Sequence, residues 1–289
     1  MKCFLYWLVR LLLRPLLTPW MPVAVQRAWV AIAAVVARGR AGVVAENVDM
    51  GSVPARRFTP PAARPGHALL YLHGGGYVFG GFGSHGKFAS HVAHATQSIV
   101  FLPDYRLAPE HPFPAALDDA LAAYHWLLGQ RPPPSRIVIA GDSAGGGLAL
   151  AAAMRIREQR LPAPSALVLI SPWADLTLGG ESHRTVAGSD PMLRTATLRR
   201  YAGMYAGTRL TDPLVSPAFG NLAGLPPTLV QVGSEEILLS DAERVAQGTG
   251  ATLSRYEGLW HVFQVHAGML AEADRALGEI GAFVGVAHA

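Results

Sequence analysis

The sequence predicts one α/β domain with a mostly parallel central sheet flanked by helices. Short apolar runs rich in β-branched residues alternate with longer segments of helical spacing, which is typical of βαβ units. The chain has 289 residues, enough for one large buried core. Hydrophobic residues make up 51% of the chain and charged residues only 15%, which excludes a disordered protein.

The strands are predicted in order along the chain. Residues 44–50 and 55–59 are expected to form a leading antiparallel pair. Six further runs are expected to form the mainly parallel part of the sheet, at 68–72, 98–102, 136–140, 166–171, 228–232 and 251–256. The clearest helical spacing lies between and after these strands, at 113–129, 143–160 and 264–285.

Two segments depart from this alternation, and we expect them to form a helical cap. The N-terminal arm, residues 1–42, contains two amphipathic helices, the second beginning at Pro22, which suits the first position of a helix. A second cap segment, about 173–226, shows helical spacing at 190–206 and little strand pattern. It is inserted in a catalytic domain of residues 43–289, and the cap should cover the carboxyl ends of the strands, where open α/β sheets place their sites.

The positive charge of the chain is concentrated in the N-terminal arm. Six basic residues and no acidic residue precede Glu46, so the remainder has a net charge of −2, the whole chain's +4 less the arm's +6. This near-neutral body excludes a surface that tracks nucleic-acid phosphates. The apolar runs of the arm, such as Cys3–Val9, are too short to span a bilayer. Packing of the arm on the protein is the favoured interpretation, and contact with a membrane surface is the alternative.

Cysteine usage bears on the compartment. Cys3 is the only cysteine, which excludes an intrachain disulfide and fits a reducing environment. We therefore expect a cytoplasmic protein. The predicted edge strands are compatible with a homodimer.

The stretch Gly141-Asp142-Ser143-Ala144-Gly145 carries the main functional signal. It joins the strand RIVIA to a helical segment, and Gly-x-Ser-x-Gly in that setting is typical of a nucleophile elbow. The turn is so tight that only small residues fit two positions on either side of the serine. A glycine-rich turn that allows close strand–helix packing is the structural alternative.

A serine nucleophile requires a general base and an acid that orients it. In proteins with this elbow, the chain order is serine, acid, histidine. Four histidines follow the serine, and His261 is favoured because it lies in a short loop after the last predicted strand; the others are His183, His266 and His288. Three carboxylates after strand 228–232 are candidates for the orienting acid, namely Glu235, Glu236 and Asp241. Asp175 is a more distant candidate.

Donors for an oxyanion are expected in the run HGGGY at 73–77, directly after strand 68–72. Glycines leave their backbone N–H groups free to face a developing negative oxygen. The N–H of Ala144, beside the nucleophile, supplies another donor. His73 is interpreted as a structural hydrogen-bonding residue.

These motifs resemble the hormone-sensitive-lipase-like family of α/β-hydrolases, which includes bacterial carboxylesterases and lactone hydrolases. The resemblance rests on HGGGY, PDYRLAPEHPFPAALDDA, GDSAGGG, DPLVSP and WHVF, at 73–77, 103–120, 141–147, 212–217 and 260–263. It implies the α/β-hydrolase fold, Ser143 as nucleophile, His261 as base and the glycines as oxyanion donors. The usual acid of the family is an aspartate three residues after the glycine that ends its strand, and Glu236 occupies that position here.

The expected function is therefore a serine carboxylesterase that hydrolyses short- to medium-chain esters through an acyl-enzyme, without a metal or a cofactor. The expected catalytic residues are Ser143, Glu236 and His261, and the expected oxyanion donors are Gly74, Gly75 and Ala144. Three aromatic residues are candidates to line the substrate pocket: Tyr77, Phe82 and Trp173.

Other functions stay open at this point. A lactone hydrolase would use the same mechanism, and a non-catalytic receptor for a small ligand would use the same fold. Residues 81–86 read Gly-x-Gly-x-x-Gly, but HGGGYVF separates them from the preceding strand, which disfavours a dinucleotide site. A metal site at His85, His91 and His94 is disfavoured because no established ligand motif contains them.

Overall fold

One eight-stranded sheet runs through the residues that the computed structural model describes, 1–34 and 38–287. The strands are β1 Val44–Met50, β2 Val53–Thr59, β3 His67–Leu72, β4 Ile99–Pro103, β5 Arg136–Asp142, β6 Ala166–Ile170, β7 Thr228–Gly233 and β8 Thr252–Tyr256. Their order in the sheet is β1-β2-β4-β3-β5-β6-β7-β8. β2 pairs antiparallel with β1 and β4, and the remaining pairs are parallel, so the predicted fold class is confirmed.

Nine α-helices are found in the described residues. They are α1 Lys2–Leu12, α2 Val23–Ala33, α3 Phe82–Thr96, α4 Ala115–Leu128, α5 Ala144–Glu158, α6 Ser182–Thr185, α7 Thr195–Ala206, α8 Leu239–Thr249 and α9 Ala271–Ala287. The last helix begins later than predicted, because Phe263–His266 forms a short 3₁₀ helix and Gly268 follows with a φ of +79°. His266 therefore lies before α9 and not within it. None of the described helices is long and apolar enough to cross a bilayer.

Apolar side chains cover both faces of the sheet, which explains why its central strands read as nearly continuous apolar runs. Successive residues of a strand point to opposite faces. In β5, Ile137 and Ile139 pack on the face that contacts α4 and α5. Val138 and Ala140 pack on the other face, against α3 and α9. The sheet is thus enclosed, and its carboxyl edge is the place left for a site.

The N-terminal arm packs on this enclosed body through two kinds of contact. Leu5 and Val9 of α1 are buried in a small apolar cluster with Trp260. Gln26 of α2 is fully buried and accepts a hydrogen bond from the hydroxyl of Tyr201 on α7 at 2.9 Å. The arm and the second cap segment therefore contact each other.

Candidate active site

Ser143 sits in the turn between β5 and α5. Its φ is +52°, in the left-handed region that is sparsely populated by residues with a side chain, so the turn is strained. The flanking glycines explain how the chain fits: a Cβ on Gly145 would lie 2.0 Å from the carbonyl oxygen of Leu72, and one on Gly141 would lie 2.3 Å from that of Gly145. The small residues of the motif are thus required by close backbone approach.

His261 meets this serine from the loop that follows β8. Its Nε2 lies 2.9 Å from Oγ of Ser143, which is hydrogen-bonding distance. Both side chains are buried, with 3% and 7% of their surface exposed. The neighbouring Trp260 packs against α1, so the arm supports the loop that carries the imidazole.

Glu236 lies on the far side of the imidazole. Its Oε2 is 3.3 Å from Nδ1 of His261 and accepts a hydrogen bond from the hydroxyl of Ser171 at 2.8 Å. That hydroxyl in turn accepts the backbone N–H of Val262 at 3.2 Å, beside the histidine. Glu236 is fully buried, and its Oε1 has no hydrogen-bond partner in the described residues. Serine, histidine and glutamate therefore form one continuous chain of contacts.

The competing carboxylates have other partners. Oε1 of Glu235 contacts the hydroxyl of Ser234, its neighbour in the chain. Asp241 accepts the backbone N–H groups of Ala174 and Asp175, at 2.9 and 2.8 Å. Asp175 itself accepts the backbone N–H of a residue two positions later in the chain. Of the predicted acids, the structure brings only Glu236 within hydrogen-bonding reach of His261.

The competing histidines are also engaged elsewhere. Nδ1 of His183 lies 3.1 Å from the hydroxyl of Thr195 at the start of α7. The ring of His266 stands edge-on to Trp260, with the ring centres 5.7 Å apart. His288 lies outside the described residues.

Nearby carboxylates outweigh the effect of burial on the pKa of His261. Burial alone would lower the pKa of His261, but its hydrogen bond to Glu236 and the charges of Glu236, Asp190 and Asp142 raise it above the ordinary value. Burial raises the pKa of Glu236, against the opposing effects of His261 and Ser171. The surrounding carboxylates thus stabilise the positive charge that a general base acquires.

The glycine run differs from expectation at its first position. The N–H of Gly74 donates to Oδ1 of Asp142 at 3.0 Å, so it is not free to bind an oxyanion. In the described residues, the N–H groups of Gly75, Gly76 and Ala144 donate no hydrogen bond to a protein group. The N–H of the expected donor Gly74 is therefore already engaged, and the N–H of Gly76 is a further candidate donor.

Gly76 also needs to lack a side chain. Its φ is +61°, and a Cβ there would lie 2.6 Å from Cδ2 of Tyr201 on α7. Tyr201 of the second cap segment thus packs directly against the glycine run.

Of the three expected pocket residues, Tyr77 and Trp173 present little surface to a cavity, whereas the half-buried Phe82 lines a surface cavity next to Arg27 of the arm. Tyr77 is 2% exposed and stacks on Tyr205, with ring centres 3.7 Å apart. Trp173 is fully buried, and its backbone N–H donates to the carbonyl oxygen of Ser143 at 2.9 Å. Phe82 packs with the core on the α3 and α9 face of the sheet. Tyr77 and Trp173 therefore support the site from inside the core.

Sequence reasoning missed two side chains that hold the site together. Asp142, the variable residue before the serine in the motif, accepts both the N–H of Gly74 and the hydroxyl of Tyr71. Ser171, directly after β6, joins Glu236 to the histidine loop. A polar residue at the end of a buried parallel strand, or directly after it, was the only available signal for either role.

Of the histidines considered as metal ligands, two lie away from the site and His85 lies next to it. His91 and His94 lie on α3 and contact Arg38 and Arg40 of the arm. Nε2 of His85 lies 3.4 Å from a carboxylate oxygen of Asp142. Among the described residues, no three His, Cys, Asp or Glu side chains are placed to hold a metal ion.

Comparison with known proteins places this chain among ester hydrolases. A family model described as the alpha/beta hydrolase fold matches residues 69–265. An acetyl-hydrolase of Streptomyces hygroscopicus is 47% identical over 230 residues, covering 78% of this chain and 77% of the relative. An esterase of Acinetobacter venetianus is 40% identical over 222 residues, covering 74% and 73%. The crystal structure of an esterase from the bacterial hormone-sensitive lipase family superposes with a TM-score of 0.92 at 38% identity, covering 98% and 96%.

Proposed function

We propose, from the premise that this chain belongs to the hormone-sensitive-lipase-like family of α/β-hydrolases, that it cleaves short-chain carboxylic esters through a serine acyl-enzyme. The chain is a carboxylic ester hydrolase. The proposal concerns its mechanism and its substrate. The observation that carries it is the 2.9 Å contact between Oγ of Ser143 and Nε2 of His261.

In the proposed first step, Oγ of Ser143 forms a bond to the ester carbonyl carbon while Nε2 of His261 takes the hydroxyl proton. The carbonyl π electrons move to its oxygen and give a tetrahedral oxyanion. Collapse of this intermediate breaks the bond to the alkoxide, which leaves with the proton from His261. Water then repeats the sequence on the acyl-enzyme, and the carboxylic acid is released.

Glu236 is proposed to hold the imidazole in its productive orientation. Its Oε2 accepts from Nδ1–H, which leaves Nε2 free to act as the base. The raised pKa of His261 indicates that the site stabilises the imidazolium formed in each proton transfer. Ser171 fixes the same carboxylate oxygen and is proposed to act as a positioning residue.

The oxyanion is proposed to bind the N–H groups of Gly75, Gly76 and Ala144. Donors held by the backbone need no reorganisation when charge develops, and one such donor contributes about 3 to 4 kcal/mol. Asp142 contributes indirectly, since it fixes the start of the glycine run through Gly74.

The burial of Ser143 favours a small acyl group. Only 7% of the surface of Ser143 is exposed, and Tyr201 of the second cap segment contacts the glycine run directly. The 47% identical relative is named an acetyl-hydrolase, in line with a short acyl chain. We therefore propose acetyl to butyryl esters as the best substrates.

The test is hydrolysis of p-nitrophenyl esters from acetate to palmitate. Wild type should be fastest on the shortest esters, and Ser143→Ala should lose that activity by at least about 10³-fold. Ser135→Ala, on an exposed loop, is the matched control and should retain it. A folded Ser143→Ala with wild-type activity would refute the serine mechanism, and a preference for long esters would refute the proposed substrate. A lactone series tested in parallel distinguishes cyclic from linear esters.

A further inference from the structure

We propose that the outward face of the two N-terminal helices is a docking surface for a lipid bilayer with anionic headgroups. In α1, Phe4, Trp7 and Leu11 are 62%, 50% and 66% exposed. Because they are spaced three and four residues apart, they share one face of the helix. Leu5 and Val9 form the buried opposite face. Packing on the protein thus uses one apolar face of α1 and leaves a second one in solvent.

The exposed apolar surface continues beyond α1. Trp20, in the turn after this helix, is 86% exposed, and Val25 and Ile32 of α2 are 44% and 59% exposed. The indole N–H of Trp29 donates to the carbonyl oxygen of Leu12 at 3.2 Å and ties the two helices together. Eight of the fourteen exposed large apolar side chains in the described residues belong to the N-terminal arm. Such concentration in one segment is characteristic of an interaction surface.

Positive charge accompanies this surface. The guanidinium of Arg10 lies 5.9 Å from the ring centre of Trp7, beside the exposed face. The arm contains six basic residues, and the first acidic residue of the chain is Glu46. Exposed tryptophan, phenylalanine and leucine next to basic residues are typical of helices that lie in the membrane interface. Each basic residue near such a surface adds about 1 kcal/mol of attraction to anionic lipid.

The same charge disfavours a second copy of the chain as the occupant. In a two-fold dimer each patch meets its own copy, so Arg10, which lies beside the exposed Trp7, would approach the Arg10 of the other protomer, and the arm contains no acidic residue to pair with it. Like charges at such an interface oppose association. An anionic bilayer supplies both an apolar interior and the opposite charge.

Docking there would place the bilayer beside the catalytic loop. The ring of Tyr6 stands edge-on to Trp260, the neighbour of the proposed base, with ring centres 6.0 Å apart. Nζ of Lys2 donates to the carbonyl oxygen of Glu257 at 3.0 Å in the turn just before it. Esters dissolved in the membrane would then lie close to the cap.

The test is co-sedimentation with vesicles of phosphatidylcholine, alone or with about 30 mol% phosphatidylglycerol. Wild type should bind the anionic vesicles at least about tenfold more tightly, and added salt should weaken this binding. The double variant Trp7→Gln/Leu11→Gln should lose at least about tenfold in binding. The matched control Leu253→Gln/Met269→Gln removes two exposed apolar side chains elsewhere, 37% and 47% exposed, and should bind as wild type.

Several results would overturn the proposal: no binding by wild type, equal binding by the Trp7→Gln/Leu11→Gln variant, or equal loss in the control. Light scattering that shows a dimer sensitive to the same variant, without vesicle binding, would identify a second copy instead. Unchanged hydrolysis of p-nitrophenyl acetate verifies that the double variant is folded. If it is not, Trp20→Gln replaces it and must weaken binding. Ser143→Ala should bind vesicles as wild type, so failure of docking and failure of the proposed catalysis are distinguishable.

Discussion

Replacing Glu236 by Gln is expected to lower kcat about a hundredfold. The carboxylate oxygen lies 3.3 Å from Nδ1 of His261. At an effective dielectric constant of about 20, a full charge at this distance stabilises an imidazolium by about 5 kcal/mol. A neutral amide oxygen retains a hydrogen bond worth about 1 to 2 kcal/mol. The transition state therefore loses about 3 kcal/mol, which corresponds to about a hundredfold in rate.

The contacts around Glu236 determine how the new amide would sit. Its Oε2 accepts from both His261 and Ser171, so the carbonyl oxygen of the glutamine should take this position. The amide NH₂ then replaces Oε1, which has no partner among the described residues. An unpaired buried donor costs about 1 to 3 kcal/mol of stability, so the unfolding midpoint in urea should fall. The loss of rate must be measured where the variant is fully folded.

The assay is steady-state hydrolysis of p-nitrophenyl acetate, with Glu235→Gln as the matched control. Glu235 is the adjacent carboxylate, half-buried and hydrogen-bonded to Ser234. Its substitution should change kcat less than about threefold, because its carboxylate is not within hydrogen-bonding reach of the imidazole of His261. A greater loss for Glu235→Gln than for Glu236→Gln would show that the acid is wrongly assigned. A Glu236→Gln enzyme within twofold of wild type would refute the electrostatic reasoning itself.

Three further predictions concern pH, the glycine run and the arm. Because the base must be neutral, the raised pKa of His261 should place the acid limb of the kcat/KM profile above pH 6.5, the ordinary pKa of histidine. An acid limb below pH 6.5 would contradict the direction of this pKa shift. Gly76→Ala should lower kcat/KM at least about tenfold, because the new Cβ is strained at positive φ and meets the ring of Tyr201. The control Gly83→Ala, where a Cβ meets open space, should not lower it. Similar activities of the two variants would exclude the contact with Tyr201. Leu5→Ala should lower the free energy of unfolding by about 3 kcal/mol, or that of arm detachment measured by proteolysis. Phe4→Ala, at an exposed position, should lower it by less than about 0.5 kcal/mol. Equal effects would show that the buried face of α1 does not hold the arm.

The elements of the fold were largely predictable because each central strand is bounded by turn residues. Strand β5 was expected at 136–140 and extends to Asp142, since the elbow begins only at the serine. The start of the final helix was not predictable in the same way. Residues 263–266 carry apolar spacing that suits either helix type, and the positive φ of Gly268 separates them from α9.

The site was predictable in its residue types and less so in its hydrogen bonds. The order of motifs singles out Ser143 and His261, because their chemistry depends on local turns that leave a clear pattern. Which glycine N–H remains free depends on Asp142, 68 residues from Gly74 in the chain. The direction of a side chain such as Phe82 likewise depends on which face of the sheet its helix covers. Such long-range contacts leave no trace in local spacing.

The packing of α1 against the loop that carries His261 has a consequence for biosynthesis. Leu5 and Val9 are synthesised before their apolar partners, which lie from Tyr256 to Ala276 and follow roughly 250 residues later. At about 5 to 20 residues per second, the first helix waits about 12 to 50 s on the ribosome for the surface it will cover. During that interval both of its apolar faces lack the contacts of the finished protein, so the nascent chain exposes more hydrophobic surface than the native molecule does. The contacts that support the loop of His261 are therefore completed only when these two distant segments of the chain meet.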